Sequence, residues 1–282
     1  SMLVTNDVAL ITFVPFTCSL LQRDDQRKIL LRIVVIEAAA ANLGSMATPI
    51  GNPQNLYLYS TYSFSLGTFF KTILPIVGIS YIGLLFSLLL IPQQPLATEI
   101  PTESHLPLSA QKKNLIIYSI LGVVCLATVA GFVTHVVCFC VVLLGMIVTD
   151  RALIRRVDWE LLLTFVCFFL FSGNLQQIES VRNLMMQGLS GGVCLTAALV
   201  SQVISNVPAA VLLSGFTEQG KELLLGVDIG GLGTPIASLA SLIAYQYYAK
   251  SKLANPAKYL QFFFIYQFIG LFLLLAIKFI LL

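Results

Sequence analysis

At 282 residues, 57% hydrophobic and only 10% charged, this chain lies outside the range of soluble globular domains, in which about a quarter of residues are charged. Its mean hydropathy of +0.91 marks an integral membrane protein. Sixteen basic and thirteen acidic residues leave a net charge of +3, and no nucleic-acid partner is expected.

In chain order, the first feature is Thr5-Asn6-Asp7-Val8-Ala9, polar residues at the head of an apolar stretch that does not read as a cleavable signal peptide. Residues 30–59 are apolar but interrupted by Gly44, Pro49, Gly51 and Pro53, and read as a discontinuous helix. Residues 69–91 can span the bilayer, which takes about 20 apolar residues. Residues 92–113, with Pro92, Pro95, Pro101 and Pro107, read as a polar linker and not a helix. Further spans are predicted over 114–133, 136–149 and 159–172, the last opened by Trp159 as an interfacial anchor. Residues 191–215 carry Ser205-Asn206 in their middle and predict a re-entrant hairpin with that pair at its tip. Residues 220–248, interrupted by Gly226, Gly230, Gly231, Gly233 and Pro235, predict a second discontinuous helix, and 259–282 a final span. The six cysteines, Cys18, Cys125, Cys138, Cys140, Cys167 and Cys194, lie in apolar runs and read as buried free thiols.

Two stretches repeat each other. Asn6 corresponds to Asn206, Phe16-Thr17 to Phe216-Thr217, Asn42 to Asp228, and Thr48-Pro49-Ile50 to Thr234-Pro235-Ile236. Apolar segments interrupted by Gly and Pro at matching places in two halves point to a secondary transporter built from repeats. Charge supplies the orientation. With 92–113 placed in the cytoplasm, the loops 22–32, 92–113, 150–157 and 249–258 share one side and hold twelve of the sixteen basic residues. The first hairpin then opens to the cytoplasm and the second to the outside, so the repeats are inverted. The expected fold is an all-α polytopic membrane protein with inverted repeats, re-entrant hairpins and discontinuous helices. Residues 1–91 form the C-terminal part of the first repeat, 92–113 a cytoplasmic linker, and 114–282 the second repeat. Internal symmetry predicts that on the order of 90 residues of the first repeat are missing before Ser1, so that it is N-terminally truncated, and that a functional protein carries further N-terminal membrane segments.

The chemistry is expected at the tips and breaks. An asparagine amide can donate to an anion, and the free N–H groups at a helix start favour a carboxylate or oxyanion. The simplest alternative for Thr5 and Ser205 is helix capping. In the first break, small residues permit unwound backbone whose carbonyls suit Na⁺, with Thr48 and Asn52 adding side-chain oxygens. A proline kink at a helix contact is the competing reading.

The run Thr48-Pro49-Ile50-Gly51-Asn52-Pro53-Gln54-Asn55-Leu56, after Ala41-Asn42-Leu43-Gly44, resembles the ion transporter superfamily of divalent-anion/sodium symporters, citrate transporters and arsenite permeases. Thr5-Asn6-Asp7 and Ser205-Asn206-Val207-Pro208 are similar to its two hairpin-tip motifs. The resemblance covers essentially the whole chain. It implies an elevator-type transporter, usually dimeric, that holds substrate between the tips with cation sites beside them. In the dicarboxylate symporters a threonine follows each tip asparagine. Here Asp7 and Val207 stand there, and Asn6-Asp7 is closer to arsenite-permease-like members.

The expected substrate site is therefore Thr5, Asn6, Asp7, Ser205, Asn206, Val207, Pro208, Thr48 and Thr234. The expected cation site is Asp7, Asn42, Gly44, Thr48, Asn52, Asp228 and Gly230, with no metal beyond Na⁺. Asp7 would carry a proton or neutralise Na⁺, because an isolated charge in the bilayer is costly. Glu37, five residues after Arg32, is expected to be paired or to lie near the interface, and Arg32, Lys71 and Lys278 to snorkel. The expected function is uptake or export of a small anion, a carboxylate or other oxyanion, coupled to H⁺ or Na⁺ in the plasma (inner) membrane. Alternatives are a Na⁺/H⁺ antiporter using Asp7 and Asp228, and a non-transporting truncated relative. With no nucleophile–base set, metal-spaced His/Cys cluster or phosphate loop, neither enzyme activity nor a cofactor is expected.

Overall fold

The computed structural model describes residues 1–2, 5–92, 108–149, 151, 154, 157 and 159–281. All regular structure among them is helical. Two compact units emerge, one formed by residues 1–98 with 167–282 and the other by 99–166.

In the larger unit, α1 (Asn6–Leu20) precedes α2 (Arg27–Ser45), α3 (Pro53–Thr61) and α4 (Leu66–Leu89). Pro53 cannot extend a helix toward its own N-terminus, and Asn52 caps α3 by accepting from the Asn55 N–H at 2.9 Å. The first break thus falls between Ser45 and Pro53. Ser65 caps α4 in the same way through the Thr68 N–H. The smaller unit contains α5 (Leu108–Val129) and α6 (His135–Thr149), packed on each other. The next helix, α7 (Trp159–Gln177), runs from the smaller unit into the larger, and Trp159 is exposed at its start.

After α7 the chain turns by 91° into α8 (Glu179–Gly191). Two short helices follow, α9 (Val193–Ile204) and α10 (Asn206–Ser214), separated by Ser205 alone. The twelve residues of α9 rise only about 18 Å, well short of a ~30 Å hydrocarbon layer. The second break separates α11 (Gly220–Ile229) from α12 (Leu239–Ala249), with one 3₁₀ turn at Pro235–Ala237 between them. Thr234 caps that turn and Ser238 caps α12. The last helix is α13 (Pro256–Leu281). Among the described residues, α4 and α13 are long and apolar enough to cross a membrane singly, and α7 with α8 would add a third span if the bent pair is one.

Two apolar cores hold the larger unit. One joins Leu10 and Val14 of α1, Leu30, Val34 and Val35 of α2, Ala240 and Ala244 of α12, and Tyr259 and Phe263 of α13. The other joins Leu58 of α3, Phe69 and Ile73 of α4, Ala197 of α9, Leu213 of α10 and Leu223 of α11. The contacts have a crossed pattern. α1 packs on α2 and on the far half of the second broken segment, α12, while α10 packs on α11 and on the far half of the first, α3. Close approach of α9 and α11 depends on small residues. A Cβ on Gly226 would lie 2.5 Å from the Cys194 carbonyl oxygen, and one on Gly230 2.7 Å from Ala198 Cα.

Several local expectations change. Helix α5 starts at Leu108, inside the stretch read as non-helical, because Leu108-Ser-Ala-Gln-Lys-Lys favours helix once the last proline has passed; residues 93–107 lie outside the described residues. Only Cys194 is buried, while Cys125, Cys140 and Cys167 sit exposed on outward helix faces, where lipid can cover a thiol as well as protein can. Glu37 does not pair with Arg32. It accepts from Thr17 Oγ1 at 2.5 Å, whereas Arg32 lies 6.0 Å from the Phe262 ring centroid. Lys278 does not snorkel but is buried and forms an ion pair with Glu222 across α13 and α11.

Candidate functional site

The first break is closed by its own amides. Asn55 donates to the carbonyls of Met46 and Thr48 at 3.1 and 3.3 Å, which supplies two backbone oxygens with the donors that the interrupted helix cannot. Gly51 passes so close to the end of α2 that a Cβ there would sit 2.0 Å from the Ser45 carbonyl oxygen. Its own carbonyl accepts from the Asn6 N–H at 3.2 Å, which fixes the start of α1 against the break.

The second break uses a residue that sequence reading missed. Gln202, three residues before the Ser205 turn, donates to the carbonyls of Gly230 and Leu232 at 2.8 and 2.9 Å. Its Oε1 accepts from the Thr234 N–H at 2.8 Å, and its carbonyl accepts from Thr234 Oγ1 at 3.0 Å. A glutamine inside an otherwise apolar limb was the available signal, because a polar side chain there is retained only with partners. Gly233 next to it has φ of 109°, and a Cβ would meet Gln202 Oε1 at 2.2 Å.

The two breaks then join each other. Asn42, at the end of α2, donates to the Gly231 carbonyl at 3.0 Å and accepts from Ser238 Oγ at 2.7 Å. Asp228, at the end of α11, accepts on one oxygen from Asn52 at 3.4 Å and from Gln54 at 3.3 Å. Asn52 also donates to Ser45 Oγ, which itself donates to the Asn42 carbonyl. The second tip reaches the same place. A Cβ on Gly231 would lie 3.0 Å from Asn206 Nδ2 and 3.8 Å from Asn42 Cγ. Ser205 reaches Asn206 Oδ1 and the Ala237 carbonyl only at 3.5 and 3.4 Å. Its φ of 73° is a left-handed value for a residue with a side chain, a strain of about 1–3 kcal/mol that a packed site must hold in place.

The sequence-predicted residues therefore divide. Asn6, Asn42, Asn52, Ser205, Asn206 and Asp228 are buried and belong to the joined breaks and tips. Asp7 is buried in the first turn of α1, with its N–H donating to Asn6 Oδ1. Thr5 precedes α1 without a side-chain capping bond. Thr48 and Thr234 spend their hydroxyls on the carbonyls of Met2 and Gln202. Val207 and Pro208 are packing residues, and the Pro208 carbonyl accepts from Ser172. Gly44 approaches Ser1, and Gly230 the α9 backbone. Gln54 and Asn55 complete the network. Among the described residues, Asp228 Oδ2 and Asn55 Oδ1 are buried oxygens without a hydrogen-bond partner. With carbonyls and hydroxyls nearby, this donor set is hard oxygen, suited to an alkali cation and not to a thiophilic metal.

A family model described as citrate transporter matches residues 1–218. The chain belongs to the citrate transporter family. It is 33% identical, over 86% of its length, to an uncharacterized transporter of Methanocaldococcus jannaschii, of which it covers 66%. Its identity to the inner membrane protein YbiR of Escherichia coli is also 33%, over 86% of this chain and 65% of that protein. A 46 kDa membrane protein of Mycobacterium leprae is 27% identical over 74% of this chain and 58% of its own length. The chain thus spans just under two thirds of the first two relatives.

Proposed function

We propose that this chain forms the substrate-handling part of a secondary active transporter that moves a small carboxylate or other oxyanion, coupled to H⁺ or Na⁺. The observation that carries the reading is the junction of the two breaks through Asn42, Gly231 and Ser238, with Asn206 beside it. Two helix interruptions far apart in sequence meet there, with the ends of α2 and α11 beside the starts of α10 and α12, where free N–H groups favour negative charge. The crossed packing of α1 on α12 and α10 on α3 supports inverted repeats, with α9 and α10 as limbs of a re-entrant hairpin. The family description and the relative named as an inner membrane protein support a citrate-like substrate and the inner membrane. The resemblance supports a homodimer.

The test is citrate uptake by the full protein in proteoliposomes, against pH and Na⁺ gradients. Asn6→Ala and Asn206→Ala are each expected to lower uptake at least tenfold while the protein stays folded, because each removes a side chain at a tip and little core packing. Normal uptake by both would remove the tips from the site.

A second reading, a Na⁺/H⁺ antiporter on the same scaffold, is favoured by one observation. Asp228 keeps a buried oxygen, Oδ2, without a hydrogen-bond partner among the described residues. Asp7→Asn and Asp228→Asn separate the readings. In a symporter, one of them uncouples anion uptake from its cation. In an antiporter, cation exchange runs without any anion, and Asp228→Asn stops it. The inverted arrangement is tested by labelling single cysteines. Ser109→Cys is expected to react from the cytoplasm and Glu218→Cys from the opposite face, and labelling of both from one side refutes it.

A further inference from the structure

A cavity of about 120 Å³ opens between α2, α4 and α13, and its lining includes Leu43 and Leu232, the chain neighbours of Asn42 and Gly231. Its walls are aliphatic, with Leu43 and Leu232 at one end and the exposed Ile269 and Leu273 on another part of the lining. Four polar side chains line it. Ser80 is bonded to the Ile76 carbonyl, and Tyr266 donates to Ser87, so three of the four have partners. The fourth, Gln267, is only 1% exposed, and among the described residues neither its Nε2 nor its Oε1 has a hydrogen-bond partner. A primary amide in apolar surroundings is stabilised best by a group that offers a donor and an acceptor side by side.

We propose that this cavity binds a lipophilic carboxylic acid, with its chain along the aliphatic walls and its neutral acid group paired with the Gln267 carboxamide. The acid hydroxyl donates to Oε1 and the acid carbonyl accepts from Nε2, so both amide atoms are satisfied at once. An ester fills the same walls but lacks the donor. A charged headgroup finds no counter-charge, because among the described residues no Lys, Arg, Asp or Glu lines the cavity. The binding is independent of whether the joined breaks transport an anion.

The full protein in phosphatidylcholine nanodiscs is titrated at mildly acid pH with decanoic acid and with methyl decanoate, and read by melting temperature and by intrinsic fluorescence. Saturable stabilisation by the acid is expected, with at least about tenfold tighter binding than the ester. Gln267→Met keeps the volume and is expected to erase the acid's advantage while weak binding of both probes persists. Nothing lies within 4 Å of a Cβ on Gly83, which lines the cavity. Gly83→Leu therefore enters open space, leaves folding intact and is expected to remove saturable binding of both probes. Equal, unsaturable partitioning of acid and ester overturns the proposal, as does binding that Gly83→Leu leaves unchanged. Disulfide cross-linking of two copies through Ile269→Cys that decanoic acid does not block also overturns it, since it assigns the surface to a second copy of the chain.

Discussion

Gly51→Ala is expected to abolish uptake and to destabilise the fold by about 3 kcal/mol or more, at the upper end of what overpacking produces. The added Cβ would stand 2.0 Å from the Ser45 carbonyl oxygen and 2.8 Å from its carbon. Both neighbours are backbone, so no side chain can rotate away, and the end of α2 or the whole turn from 46 to 52 has to move. That movement displaces the Gly51 carbonyl from the Asn6 N–H and loosens the first tip from the first break. The effect therefore reaches function as well as stability. Uptake and the thermal unfolding midpoint check it together, and a wild-type value for both would mean that the turn does not hold the tip. Gly83→Ala supplies the control, because it adds the same methyl group where nothing lies within 4 Å.

Asn42→Ala is expected to be nearly as damaging, at about 2–5 kcal/mol, with loss of uptake. It leaves the buried Gly231 carbonyl without its donor and the Ser238 hydroxyl without its acceptor, and each orphaned group costs about 1–3 kcal/mol. Ser238→Ala keeps the Asn42–Gly231 bond but orphans Asn42 Oδ1 and uncaps α12, and is expected to cost about 1.5–4 kcal/mol. The double variant should be less destabilised than the sum of the two, since the Ser238 hydroxyl already lacks its acceptor in Asn42→Ala. Strict additivity would show that Asn42 and Ser238 are not bonded to each other.

Much of this molecule is readable from residue order. Apolar content marked a membrane protein, Pro53 and Asn52 fixed where α3 begins, and the Gly and Pro residues at 44–53 and 226–235 marked where two helices stop. Those are local effects: a missing N–H, a capping side chain, a residue without Cβ. The citrate transporter family was legible from short runs such as Thr48-Pro49-Ile50-Gly51-Asn52-Pro53, whose resemblance to its motifs the family match bears out.

What needed the tertiary structure is which polar groups meet. Asn42 and Asp228 hold matching places in two similar stretches of sequence, yet the Asn42 side chain bonds the second break and the Asp228 side chain the first. Thr48 and Thr234, matched in sequence, turn to different backbone carbonyls, and Gln202 carries a role that no motif announced. The Lys278–Glu222 pair and the unpartnered Gln267 were equally invisible. Sequence spacing fixes where a backbone can bend and which residues share a helix face. Which buried amide, hydroxyl or carboxylate satisfies another is decided only when segments on the order of 200 residues apart are packed together, because in an apolar interior each polar group must find its partner wherever the fold has left one.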